Sequence, residues 1–209
     1  MAGSIRRPID METERLIVRH LSPQDEAAFL SGIGDRELRR MYGLPLELSE
    51  ERARQIFQRF SALPAAYGLI RKADDALIGF LLDVPSELPE DMQRALPVGG
   101  RTLAYATFPP YQRQGYMREA LLSMIRRHEA DAPYLHGGHF PFNAPSERLL
   151  LSLGFREYGQ HALGKATIID KTRFLMDRQG RTKRSRFRGI VLLDREAARK
   201  GAFLFLFLK

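Results

Sequence analysis

Residues Leu103–Leu121, LAYATFPPYQRQGYMREAL, decide how this chain is read. Arg101–Thr107 has strand character and stops at Pro109-Pro110. A glycine turn, Gln112-Arg113-Gln114-Gly115, then leads into a helix expected from about Gly115 to Glu129. Met117, Leu121, Met124 and Ile125 share one face of it. A glycine-containing turn between strand and helix aims several backbone N–H groups at one spot. The positive end of the helix dipole makes that spot an anion site, and Arg113 adds a full charge. A pyrophosphate suits it. A plain helix start with a loop arginine explains the same residues, so the turn alone leaves the choice open. No Gly-Lys-Ser/Thr follows, so it is not a P-loop, and the Gly-x-Gly-x-x-Gly spacing of a dinucleotide site is missing.

On the N-terminal side, Glu14–Arg19 alternates charged and apolar residues and reads as a strand. Ser22-Pro23 opens a helix carrying Ala27, Phe29 and Leu30, and Ser49 caps a second through Ala53, Ile56, Phe57 and Phe60. Tyr67–Lys72 and Leu77–Val84 flank a turn, Ala73-Asp74-Asp75-Ala76, as a hairpin does. Pro85–Gly100 is an excursion with one short helix. On the C-terminal side, Tyr134–His139 reads as a strand, Pro145–Leu153 as a helix stopped by Gly154, and Phe155–Leu163 and Thr172–Met176 as two last strands. The order β-α-α-β-β-β-α-β-α-β-β indicates an α+β (mixed α/β) domain and not a doubly wound one.

The 209 residues suit one domain with an appendage, and 44% hydrophobic with 28% charged residues is a globular balance. The absence of cysteine excludes disulfides, thiolate metal sites and a cysteine nucleophile. No metal site is expected. The opening MAGSIRRPID lacks the apolar core of a signal peptide, and Ala202–Leu208 is too short to span a bilayer, so a cytoplasmic protein without a membrane partner is expected. The net charge of +8 comes largely from Arg178, Arg181, Lys183, Arg184, Arg186 and Arg188.

Three segments together resemble the GCN5-related N-acetyltransferase (GNAT) family. Leu103–Leu121 is similar to its acetyl-CoA signature, which uses Arg/Gln-x-x-Gly-x-Gly/Ala at the turn. Thr13–Arg19 is similar to the first strand of the branch that acetylates ribosomal-protein N-termini. Asn143-x-x-Ser146, followed by Gly154-Phe155, is similar to that branch's later motif. The resemblance covers about Met11 to Met176 and implies a twisted, mostly antiparallel sheet of about seven strands, flanked by helices and splayed between the fourth and fifth. It implies acetyl-CoA as cosubstrate, its pantetheine arm beside Thr107 and Phe108, and its phosphates on Gln112, Arg113, Gln114, Gly115, Tyr116 and Met117, with Asn143 and Ser146 completing the site. The implied reaction is acetyl transfer to a primary amine, of a protein N-terminus or a small molecule, by direct attack in a ternary complex.

Two positions depart from the family pattern. Met117 stands where the family prefers Gly or Ala. Leu150 stands where many relatives place a tyrosine, seven residues after the asparagine, to protonate the leaving thiolate. Thiolate departure is then helped by Ser146, by water or not at all: if the acid is missing, Leu150→Tyr is expected to raise turnover provided the phenol reaches the sulfur, and if Ser146 has replaced it, Ser146→Ala is expected to cut turnover. For the base, His139 ranks ahead of His136, while Glu119 fits helix packing better than catalysis. Tyr105 suits acceptor contact and core packing equally. The chain divides into an N-terminal arm (residues 1–10, of which Met1–Ser4 carry no weight), an acetyltransferase domain (11–177) and a basic, then hydrophobic, extension (178–209). The extension reads as added strands, a homodimer contact or a lid. Its arginines from Arg178 to Arg188 leave nucleic-acid contact as the last-ranked partner. A non-catalytic acyl-CoA-binding module is the alternative to an enzyme.

Overall fold

In a computed structural model, residues 11–86 and 88–175 are described. The extension and its basic cluster lie outside them. Eight strands form one sheet, in the order β1-β2-β3-β4-β5-β6-β8-β7. They are β1 (Met11–Glu12), β2 (Leu16–His20), β3 (Ala66–Arg71), β4 (Ala76–Pro85), β5 (Arg101–Thr107), β6 (Tyr134–His139), β7 (Arg156–Leu163) and β8 (Ala166–Phe174). The helices are α1 (Glu26–Ile33), α2 (Arg36–Tyr42), α3 (Glu50–Ala62), α4 (Glu90–Gln93), α5 (Tyr116–His128) and α6 (Ala144–Ser152). The architecture is the expected α+β one. The sheet has one strand more than expected because Met11–Glu12 pairs with Ile17–Val18 at the edge.

The chain forms two compact units. The first comprises residues 11–39, 46–82 and 105–123. Here β2 pairs antiparallel with β3, and β3 with β4 across the hairpin turn, where Asp75 takes a left-handed φ of 55°. The core is aromatic. Phe29 stacks obliquely on Phe57 and Phe60 (ring centroids 5.4 and 5.3 Å apart), and Phe80 meets Phe60 edge-on at 4.9 Å. Such pairs add to area burial when tilted or T-shaped. Ser49 caps α3 by accepting a hydrogen bond from Arg52 N. Ser22 opens a 3-10 turn, Pro23–Asp25, before α1 begins, and the Asp25 carboxylate accepts bonds from Ser22 N, Ser22 Oγ and Arg19.

The second unit comprises residues 40–45, 83–104 and 124–175, Glu87 excepted. It holds the start of β5, which pairs in parallel with β6 at Arg101↔Leu135 and Thr102↔His136, near the beginning of both strands. β8 pairs antiparallel with both β6 and β7. Tyr134 is fully buried, its ring lying where a Cβ on Gly100 would fall, and packs with Leu88 and Leu96. The last strand runs Ala166–Phe174 and not from Thr172 as expected. Its Asp170 and Lys171 broke the apolar pattern in the sequence, yet both side chains are buried and paired with other side chains.

Candidate cofactor and catalytic residues

In the first unit, β5 ends at Thr107 and the chain turns through Pro109–Tyr111 before α5. Gln112 Nε2 donates to Thr107 O (3.0 Å) and Gln114 Nε2 to Pro110 O (3.0 Å), so both glutamines clamp the turn from within. Arg113 has a φ of 60° and Gly115 one of 81°, both left-handed. Glycine takes such a conformation without penalty; arginine does so at a cost. The first α5 amide with a backbone acceptor outside the helix is Glu119 N, bonded to Gly115 O (3.1 Å). Among the described residues, no backbone acceptor serves the amides from Arg113 to Arg118. Gln112 to Gly115 are exposed. Met117, the departure from the family pattern, buries its side chain and leaves its amide in this row.

A residue outside the signature holds this turn. Arg15 donates through NH1 to Gln114 O (3.0 Å), lies over the Tyr116 ring at 4.4 Å and pairs through Nε with Glu119 Oε2 (2.7 Å). Glu119 also accepts from Thr13 Oγ1 and Arg15 N. Burial pushes its carboxyl up, but these bonds outweigh that and hold it below the ordinary range. Glu119 is thus committed to tying the turn between β1 and β2 to α5. Phe108 donates its N–H to Ile78 O (2.8 Å) and buries its ring where Gly32 leaves room. Tyr105 is half-buried on β5.

The remaining predicted residues gather in the second unit. Asn143 caps α6: its Oδ1 accepts from Ser146 N (3.1 Å) and its Nδ2 donates to Met41 O (3.0 Å). Each end of the amide keeps capacity for one further bond. Leu150 is fully buried, with its methyls where a Cβ on Gly137 would fall. A tyrosine there would have to displace the packing around it. His139 is 3% exposed; its Nδ1 lies 2.9 Å from Phe140 O, and its Nε2 finds no hydrogen-bond partner among the described residues. The Nδ1 contact to a carbonyl makes Nδ1 the protonated nitrogen and Nε2 the bare one.

Sequence reasoning ranked His136 low and did not see its partners. Thr102 Oγ1 lies 3.0 Å from His136 Nδ1, and His136 Nε2 lies 2.9 Å from Asp170 Oδ1. Asp170 Oδ2 lies 2.7 Å from His161 Nδ1. The four residues come from four strands, and no local spacing joins them.

The first unit thus holds a strand, a turn with backbone amides free of backbone acceptors and a helix, and the second an asparagine-capped helix. Residues 15–156 match the family described as the acetyltransferase (GNAT) domain, and the chain belongs to that family. It is an acetyl-CoA-dependent acetyltransferase. A Bacillus subtilis (strain 168) protein described as the uncharacterized N-acetyltransferase YoaA is 29% identical over 156 residues, 71% of this chain and 84% of that protein. The same fold occurs in a GNAT-family acetyltransferase from Bacillus anthracis (TM-score 0.66, 17% identity, 78% of this chain and 97% of that one). It occurs also in RimL, a ribosomal L7/L12 alpha-N-protein acetyltransferase (0.61, 15%, 80% and 93%). Among the described residues no helix is long and apolar enough to cross a membrane.

Proposed function

We propose that the protein transfers the acetyl group of acetyl-CoA to a primary amine, of a protein N-terminus or a small molecule, by direct attack in a ternary complex. The observation that carries this reading is the row of amides from Arg113 to Arg118 without backbone acceptors, at the start of α5 beside Arg113. Its chemistry fits a pyrophosphate. The arm then runs back along β5 from Thr107, with Phe108 fixing the strand's end through its bond to Ile78 O. Asn143 offers its spare lone pair and N–H to the arm or the acetyl group, and Tyr105 contacts the acceptor.

The acceptor arrives as an ammonium ion and loses one proton before it attacks. The nitrogen lone pair forms the C–N bond, the C–S bond breaks, and sulfur leaves with its electron pair. The nitrogen's second proton reaches the thiolate, through Ser146 or water. A thiolate leaves readily, because thiol pKa values lie not far above neutrality, at about 8.5 for cysteine. His139 is the first candidate for the initial proton, through its bare Nε2.

Two measurements test the reading. Calorimetry should find CoA binding much tighter than pantetheine without phosphates; equal affinities would remove the phosphate cradle. A panel of amines with acetyl-CoA, read by thiol release, should yield at least one acceptor. CoA binding with no transfer to any amine would select the non-catalytic acyl-CoA module instead.

A further inference from the structure

We infer that the apolar segment Ala202–Leu208 of the extension docks as an added strand along the open edge of β7 in the same chain. The sheet ends in two edges, β1 and β7. β1 is two residues long, and so short an edge offers little to pair with. β7 is eight residues long and bonded on one side, to β8. In an antiparallel pair, residues alternate between bonding the partner strand and facing away from it. About every second N–H and C=O of β7 therefore points outward. Among the described residues, no backbone group of another element bonds to that edge. Long edges are ordinarily blunted by lysine, proline, charge or a bulge. The one register shift of β7 lies at its start, between Glu157 and Gly159. From Tyr158 to Leu163 the strand carries no lysine, proline or carboxylate.

The segment has the complementary need. Ala202–Leu208 alternates phenylalanine (Phe203, Phe205, Phe207) with leucine (Leu204, Leu206, Leu208), without charge, proline or glycine. Left bare, such a run invites aggregation. Apolar on both faces, it needs cover on both faces of the sheet, and the surroundings of β7 supply it. On one face stands α6. Its Glu147 and the Glu157 of β7 both approach Lys171 Nζ, at 3.5 and 3.6 Å. Leu151, one turn beyond Glu147 on the same side of α6, is 42% exposed. The opposite face is that of Tyr134, because the register sets Tyr134 against Phe174 and Gly137 against Lys171. There Met92 of α4 and Tyr158 of β7 pack on Tyr134 while staying partly exposed, and Met92 lies against Gly159.

The tether fits. β8 ends two residues beyond Thr172, which pairs with Arg156 at the start of β7, so the chain leaves beside one end of that strand. β7 spans about 26 Å. Residues 176–201 can reach more than about 80 Å when extended, and the cost of closing a loop grows slowly with its length. A tether also holds its segment at roughly millimolar effective concentration. That exceeds the concentration of a second molecule in dilute solution, so the chain docks its own segment.

The chain has no cysteine, so disulfide trapping in the full-length protein has no background. Gln160→Cys, at an exposed position of β7, is combined in turn with Phe203→Cys, Leu204→Cys, Phe205→Cys, Leu206→Cys, Phe207→Cys or Leu208→Cys. Cross-strand neighbours on one face have Cβ atoms about 5 Å apart, and the next residue points to the other face. Mild oxidation should therefore close a disulfide within the monomer at one of the six positions, or at two positions separated by one that fails. Bonding at none, or equally at adjacent positions, would overturn strand pairing. Bonding only between molecules would make the occupant a second copy and overturn docking in the same chain. A second measurement leaves β7 untouched. Phe205→Asp together with Leu206→Asp charges both faces of the segment. Amide hydrogen exchange should then quicken at least about tenfold at the outward amides of β7, with β6 unchanged. Exchange in β7 equal to that of wild type would overturn the proposal.

Discussion

Arg15 shows how much a single side chain can hold. Its guanidinium reaches the carbonyl of Gln114, the face of Tyr116 and the carboxylate of Glu119 at once. It is 42% exposed, so the ion pair itself adds little to stability. Its value lies in holding the turn. Arg15→Met should therefore weaken CoA binding severalfold while shifting the melting temperature little, a split that calorimetry and a thermal melt resolve. A large stability loss with unchanged CoA affinity would show that the residue braces the fold and not the turn. Leu150 is the opposite case, with no exposed atom and Gly137 against it. Leu150→Tyr should lower the unfolding free energy by about 1–3 kcal/mol through overpacking and should not raise turnover.

At the scale of elements, one helix start was legible because it obeys a local rule: Ser49 caps α3 through its own side chain, where the sequence places it, whereas α6 starts one residue earlier than expected and takes Asn143 as its cap. β5 and β6 begin and end where expected, bounded by proline and by a polar turn. β8 was half missed, since a strand carrying Asp170 and Lys171 does not look buried until its partners on β6, β7 and α6 are known. Gly79 was not singled out at all, yet a Cβ there would sit 2.3 Å from Ala106 O. The obstacle is backbone, so no rotamer change relieves it. Gly79→Ala should destabilise the protein by several kcal/mol, on the order of the most severe point mutations, and lower its urea midpoint accordingly. A midpoint like that of wild type would mean that β4 and β5 slide apart at little cost.

For the whole molecule, a buried charge cluster ties stability to pH. Asp83 meets His128 Nε2 at 2.9 Å and Arg101 Nε at 2.8 Å, and His128 Nδ1 meets Asp131. Burial pushes the His128 pKa down, but the two carboxylates outweigh it and raise it above 6.5. Burial likewise pushes Asp83 up, while His128 and Arg101 hold it below 3.8. The histidine's contribution is complete below pH 6.5 and is lost as pH rises through its raised value. The aspartate's contribution is complete above pH 3.8 and is lost as pH falls through its lowered value. The pair is thus fully present between those limits. The melting temperature of wild type should fall from slightly acid to alkaline pH, and His128→Gln should flatten that fall. Parallel pH curves for the two proteins would remove the cluster from the account.

The sequence by itself determined what depends on neighbours along the chain: the strand–turn–helix around Gly115, the cap at Ser49 and the hairpin at Asp74-Asp75. These are short-range effects of backbone sterics, capping and helix dipoles, and they survive being read one segment at a time. Only the tertiary structure decided which distant side chains meet in a hydrogen-bonded row. Thr102, His136, His161 and Asp170 lie up to 68 residues apart. A hydrogen bond acts over about 3 Å, so the residues it joins are set by strand order and register and not by spacing in the sequence.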